Sequence, residues 1–150
     1  MTVAPGQVDG RVVQRHIIAL RQVVNGLRRH ADVTAAMLRA DRDRLWAIER
    51  GLQLAAQNAL DVASHICSAV GQDPATYRAA IDGLVETGVL PADFGESFRR
   101  VAGFRNVLVH GYLEVDLELV AGILNGQLAE FDAFARHVES WLAAPEKVGE

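Results

Sequence analysis

The chain carries one cysteine, Cys67, in 150 residues, which excludes an internal disulfide framework and a multi-cysteine zinc site. Cys67 lies in an apolar helical stretch and reads as a buried core thiol. Strand signals are nearly absent, since the short β-branched run at Val107–Val109 sits inside a helical pattern. Positive charge is not in surplus. The net charge of -4 argues against a broad basic surface for duplex nucleic acid, while leaving room for a small basic pocket. No apolar run reaches the roughly 18 residues a membrane span needs. Residues 1–10 lack the basic-then-apolar order of a signal peptide, so a cytoplasmic protein is expected. There is no Walker-type loop or dinucleotide fingerprint, and His16, His30 and His137 have no metal-ligand spacing. Neither a metal nor a cofactor is expected.

What is present is apolar residue at helical spacing. Half the residues are hydrophobic and 23% are charged, the balance of one globular domain spanning 1–150 with an ordered core at about 9–143 and loose termini. Asp9 can cap a first helix to about His30, with Val12, Val13, Ile17, Leu20, Val23, Val24 and Leu27 on its inner side. Asp32 or Thr34 can restart the chain. Asp41 opens the longest helix, to about Val70, on a narrow seam of Leu45, Ile48, Leu52, Ala55, Ala59, Val62, Ile66 and Val70. Gly71 ends it and Pro74 starts a shorter helix to about Thr87. A fifth helix is expected from Pro91 or Ala92 straight to His110, ended by Gly111. Asp116 caps the last, whose seam is Leu117, Val120, Leu124, Leu128, Phe131, Ala135, Val138 and Leu142. The expected fold is all-α, an antiparallel bundle of about five to six helices.

The chemistry concentrates between Phe98 and Tyr112. At about 100° per residue, Phe98, Val101, Phe104, Leu108 and Val109 form a broad apolar side, and Arg99, Gly103, Asn106 and His110 a polar one. Arg105 breaks the pattern by projecting among Val101, Leu108, Phe98 and Val109. A desolvated guanidinium is tolerated only when paired. Asn106 and His110, four apart, can touch and orient one another. His110 at a helix end suits a general acid or base, and Arg105 suits a phosphate clamp. Arg105 and His110 are five apart, roughly 140° around a helix. Either the helix distorts or two copies of the segment meet across a two-fold axis, and a symmetric dimer is preferred. Asp61 and His65, also four apart, read more simply as a structural pair.

Read as Arg105-Asn106…His110-Gly111-Tyr112, this segment resembles the signature of the HepT family, a branch of the HEPN superfamily. Ala47–Gln53, Leu60–Ile66 and Leu84–Leu90 resemble further family segments in family order. The resemblance implies an RNA-cleaving toxin that needs no metal. Catalysis would fall to Arg105 and His110, supported by Asn106, with Arg99 and Arg100 on the RNA. It also implies a partner, a small nucleotidyltransferase antitoxin of the MntA kind, which would transfer AMP to Tyr112. The toxin is expected as a homodimer or within a larger hetero-oligomer. Phosphate added beside Arg105 and His110 would occupy the anion site and repel RNA. The rival reading is a catalytically silent HEPN-like helical module that binds a nucleotide or a nucleotidyltransferase.

Overall fold

Five helices begin on a side chain that accepts a hydrogen bond from an amide of their own first turn, satisfying a donor the helix cannot. Asp9 caps α1 (Gly10–Arg28), Thr34 caps α2 (Ala35–Ala40) and Asp41 caps α3 (Arg42–Ala69). Thr76 caps α4 (Tyr77–Glu86) and Asp116 caps α7 (Leu117–Ala143). Between them lie α5 (Ala92–Phe98), entered from Pro91, and α6 (Arg100–His110). The structure is a computed structural model. It describes residues 8–105 and 116–144 in full, and 106–110 as helical backbone.

Two starts differ from the sequence expectation. The fourth helix opens at Tyr77, because Thr76 supplies the capping oxygen that Pro74 lacks. The expected single helix from Pro91 to His110 is two, α5 and α6, separated at Arg99. There the amide of Ala102 bonds to the Arg99 carbonyl at 3.1 Å, a tight three-residue step in place of the helical four. The count is therefore seven helices among the described residues. Gly71 and Gly88 take φ of +82° and +87°, Gly71 ending α3 as expected and Gly88 following the end of α4. Val8, expected in the loose tail, is buried under the bundle.

α3 is the central element and packs against α1, α2, α4, α6 and α7. Its expected seam is buried from Ile48 to Ile66, but Ala56, Leu60, Ala63 and Cys67 are also fully buried. The apolar face is thus wide and not a narrow seam, because helices sit on more than one side of it. α1 runs antiparallel to α7, tied by Arg21–Glu139 and Arg28–Asp132. Phe98, fully buried, stacks on Phe94 and Phe134 at ring-centre distances of 5.3 and 4.8 Å and meets Phe131 edge-on. That cluster pins the α5–α6 corner to α7. α4 lies close on α3 because Gly83 has no side chain. A β-carbon there would fall 2.7 Å from Cys67 Sγ and 2.4 Å from Gln72 Oε1. No helix among the described residues is long and apolar enough to cross a membrane.

Candidate active site

Arg105 lies half-buried on α6, facing α3 and α4. Its Nε and Nη2 donate to Gln57 Oε1 of α3 at 3.2 and 3.0 Å. Its guanidinium carbon lies 5.2 Å from the ring centre of Tyr77, the first residue of α4, within cation–π range. The sequence placed this arginine among apolar neighbours and required a partner for it. One partner is a neutral amide, with an aromatic face beside it. The break at Arg99 shifts α6 in register relative to α5, so faces drawn on one continuous helix do not carry across it.

Arg105 is one of four arginines around a cavity of about 520 Å³, lined also by Thr76, Tyr77, Ala102 and Gly103. The others are Arg78 from α4, Arg99 at the break and Arg100 at the start of α6. Their charges are not equally available. Arg99 bonds to Asp82 Oδ1 at 2.6 Å, and Arg100 lies 3.2 Å from Glu130 Oε1 and from Ser97 Oγ. Arg78 is exposed and makes no ion pair or hydrogen bond in the described structure. On the far side of Arg99 is a second hollow, of about 540 Å³, bearing Asp82, Glu86 and Glu96. A polyanion is thus drawn to one side of the α5–α6 corner and repelled from the other.

The cavity unites three of the residues singled out in the sequence, Arg99, Arg100 and Arg105. Asn106 and His110 are on the same helix as Arg105, and α6 stays helical through His110. Their side chains, and Tyr112, lie outside the described residues. Asp61 does not bond to His65. Its Oδ1 accepts from Gln57 Nε2 at 2.7 Å, and His65 Nε2 is buried with no hydrogen-bond partner. Sequence reasoning missed Gln57, Tyr77 and Arg78. A Gln–Asp spacing of four on α3 and a Tyr–Arg pair just after a capping threonine were the only signals available, and neither points to α6. Cys67 is buried as expected, with its thiol 3.4 Å from the Ala80 carbonyl, and burial raises its pKa above the ordinary thiol value.

The chain as a whole has counterparts among known proteins. The family described as "Ribonuclease HepT-like" matches residues 12–138. The chain belongs to that family. A tRNA nuclease HepT from Aphanizomenon flos-aquae is 22% identical over 142 residues, covering 93% of this chain and 96% of the relative. An mRNA nuclease HepT from Shewanella oneidensis is 25% identical over 84 residues, covering 55% of this chain and 63% of the relative. Among solved structures, the tri-AMPylated HEPN toxin of Shewanella oneidensis in complex with MNT antitoxin superposes with a TM-score of 0.75 at 18% identity, covering 86% of this chain and 97% of the other. The fold is therefore the all-helical HEPN type expected from the sequence, and the family is one of ribonucleases.

Proposed function

We propose that this chain is the toxin of a toxin–antitoxin pair, a cytoplasmic, metal-independent endoribonuclease whose α6 supplies half of a composite site. The observation that carries this reading is the four-arginine cavity, which includes Arg105, on the helix that ends at His110. Single-stranded RNA enters the cavity. Arg78 holds a phosphate with its full charge, while Arg99 and Arg100 contribute as their carboxylate bridges open. Arg105 grips the scissile phosphate and stabilises the charge that builds on it. His110 takes the proton of the 2′-hydroxyl as that oxygen attacks phosphorus. The bond to the 5′-oxygen breaks, that oxygen is protonated, and a 2′,3′-cyclic phosphate remains. Asn106 orients the imidazole.

Arg105 and His110 are five positions apart on a helix, roughly 140° of rotation. A homodimer with two such segments facing one cleft supplies both groups to one phosphate. A nucleotidyltransferase antitoxin then silences the site by placing AMP on Tyr112, two residues beyond His110, as homodimer or larger hetero-oligomer. The structure of an AMPylated toxin bound to its antitoxin supports this regulation. The test is incubation of the purified chain with total RNA in excess chelator. Cleavage is expected for the parent and is expected to vanish in His110→Ala and Arg105→Ala with folding retained. A His110→Ala chain that cuts RNA as fast as the parent refutes the mechanism.

A further inference from the structure

Tyr77 is the only aromatic residue among the described residues that line the arginine cavity. The rest of the wall is four arginines, Thr76, Ala102 and Gly103. The backbone under the ring is fixed. Tyr77 is the first residue of α4, and Thr76 Oγ1 locks that helix start by accepting from the Ala79 amide at 3.0 Å. The Tyr77 hydroxyl lies 3.5 Å from Gln57 Nε2 of α3, and Arg105 of α6 places its guanidinium carbon 5.2 Å from the ring centre. One helix carries the ring and two others meet it. The residue is half-buried, yet part of it is cavity wall. α6 contributes the two smallest residues of that wall, Ala102 and Gly103, and a β-carbon on Gly103 would meet no atom of the described residues within 4 Å. A positioned ring thus borders open space and cations together.

Arginines recognise phosphates, and phosphates are alike on every nucleotide. What a phosphate site lacks is a hold on the base. Proteins that bind single strands combine a cationic groove with aromatic side chains on which unpaired bases stack. The cavity has both. Its volume of about 520 Å³ also falls within the roughly 300–1,000 Å³ of small-ligand sites. The phosphate and base of one nucleotide are separated by a single sugar. With a phosphate at Arg105, the base beside the scissile bond is therefore within reach of Tyr77. In a duplex the bases stack on one another and offer only their edges, so a ring used in this way selects unpaired RNA. An acidic peptide would satisfy the arginines but has no flat group for the ring.

We propose that Tyr77 is the stacking platform of a nucleobase subsite in the arginine cavity, holding the unpaired base next to the scissile phosphate. The inference rests on the reading of the cavity as an RNA site. The test uses the full chain in a His110→Ala background, so that the probes survive. Two labelled probes of equal length are titrated by fluorescence anisotropy, a single-stranded oligoadenylate and the same ribose–phosphate chain without bases. The parent is compared with two non-aromatic variants, Tyr77→Leu and Tyr77→Gln, and with Tyr77→Phe, folding being verified by circular dichroism. The parent is expected to bind oligoadenylate about 10-fold tighter than the base-free chain, within the range of a single base–aromatic stack. The non-aromatic variants are expected to lose that factor on oligoadenylate and to change by less than about twofold on the base-free chain, whose phosphate contacts they keep. Tyr77→Phe, which retains the ring, is expected to restore most of the lost affinity. A tyrosine that only props Arg105 would weaken both probes by one factor. Equal losses on the two probes, or no loss on oligoadenylate, therefore overturn the proposal. So does a parent that binds both probes equally well, and that result leaves phosphate binding by the arginines standing. Binding that depends on the ring, in a chain whose His110-intact form cuts no RNA, upholds the subsite while the ribonuclease reading falls.

Discussion

The unequal availability of the four arginines can be measured as a salt dependence. Each phosphate neutralised on single-stranded nucleic acid contributes a slope of about 0.7 to the fall of log affinity with log salt. In the folded chain Arg99 is bridged to Asp82 and Arg100 to Glu130, so the exposed Arg78 and the proposed phosphate clamp Arg105 are counted as the two contacts made without opening either of these bridges. Two full contacts per cavity give a slope of about 1.4, so raising salt fourfold should weaken binding about sevenfold. Arg78→Ala removes one contact, bringing the slope to about 0.7 and the fourfold-salt effect to about 2.6-fold. Asp82→Asn combined with Glu130→Gln frees the other two, raising the slope toward about 2.8 and the effect toward about 50-fold. The assay is fluorescence anisotropy of a labelled single-stranded RNA with His110→Ala as background, so that the ligand survives titration. Equal slopes in the Arg78→Ala and parent backgrounds, or no rise on freeing Arg99 and Arg100, would refute the assignment of charge within this cavity.

Other outcomes follow from particular contacts. Co-expressing the chain with a nucleotidyltransferase antitoxin of the proposed kind should add one or more AMP masses to the intact protein, and Tyr112→Phe should abolish the increment; an unchanged pattern in that variant moves the modification elsewhere. Phe98→Ala empties the aromatic cluster at the α5–α6 corner and should cost about 3–5 kcal/mol. At roughly 2–4 °C per kcal/mol for a chain of this size, the melting temperature should fall on the order of 10 °C by circular dichroism, and a fall under about 3 °C would contradict the packing. His30 has its pKa lowered, first by burial and then by Arg44 and Arg29, with Asp41 opposing. Arg44 Nε donates to its Nδ1 at 3.1 Å, a bond the protonated ring cannot accept. Because the folded pKa is the lower one, the unfolded chain binds the proton first. Stability should therefore decline as pH drops through the unfolded value of about 6.5 toward the folded one. His30→Asn should flatten that limb of a denaturant-midpoint-against-pH curve, and an unchanged limb would assign it to another group.

The fold was legible because its signals are local. Asp9, Thr34, Asp41 and Asp116 act as caps within three residues of themselves, and the last helix buries Val120, Leu124, Leu128, Phe131, Ala135 and Val138 as its spacing predicts. Misreadings arose where a distant element intervened. The break at Arg99 is bracketed by the Phe98 cluster on α7 and the bridge to Asp82 on α4, neither of which is visible in residues 91–110. The width of the α3 face reflects how many helices surround it. At the site, Arg105 was conspicuous as a cation out of pattern. Its partners were not, because Gln57 precedes it by 48 residues and Tyr77 belongs to another helix.

By itself, then, the sequence determined an all-helical chain of the HepT-like kind, singled out the segment proposed to bear its chemistry, and showed the need of Arg105 for a partner. Periodicity, capping and motif spacing are properties of neighbours along the chain. Only the tertiary structure showed what meets it. One partner is a neutral amide turned by Asp61, in a cavity where two other arginines are held by carboxylates and Arg78 is not. Charge compensation depends on distances across helices, and those exist only once α3, α4 and α6 have packed together.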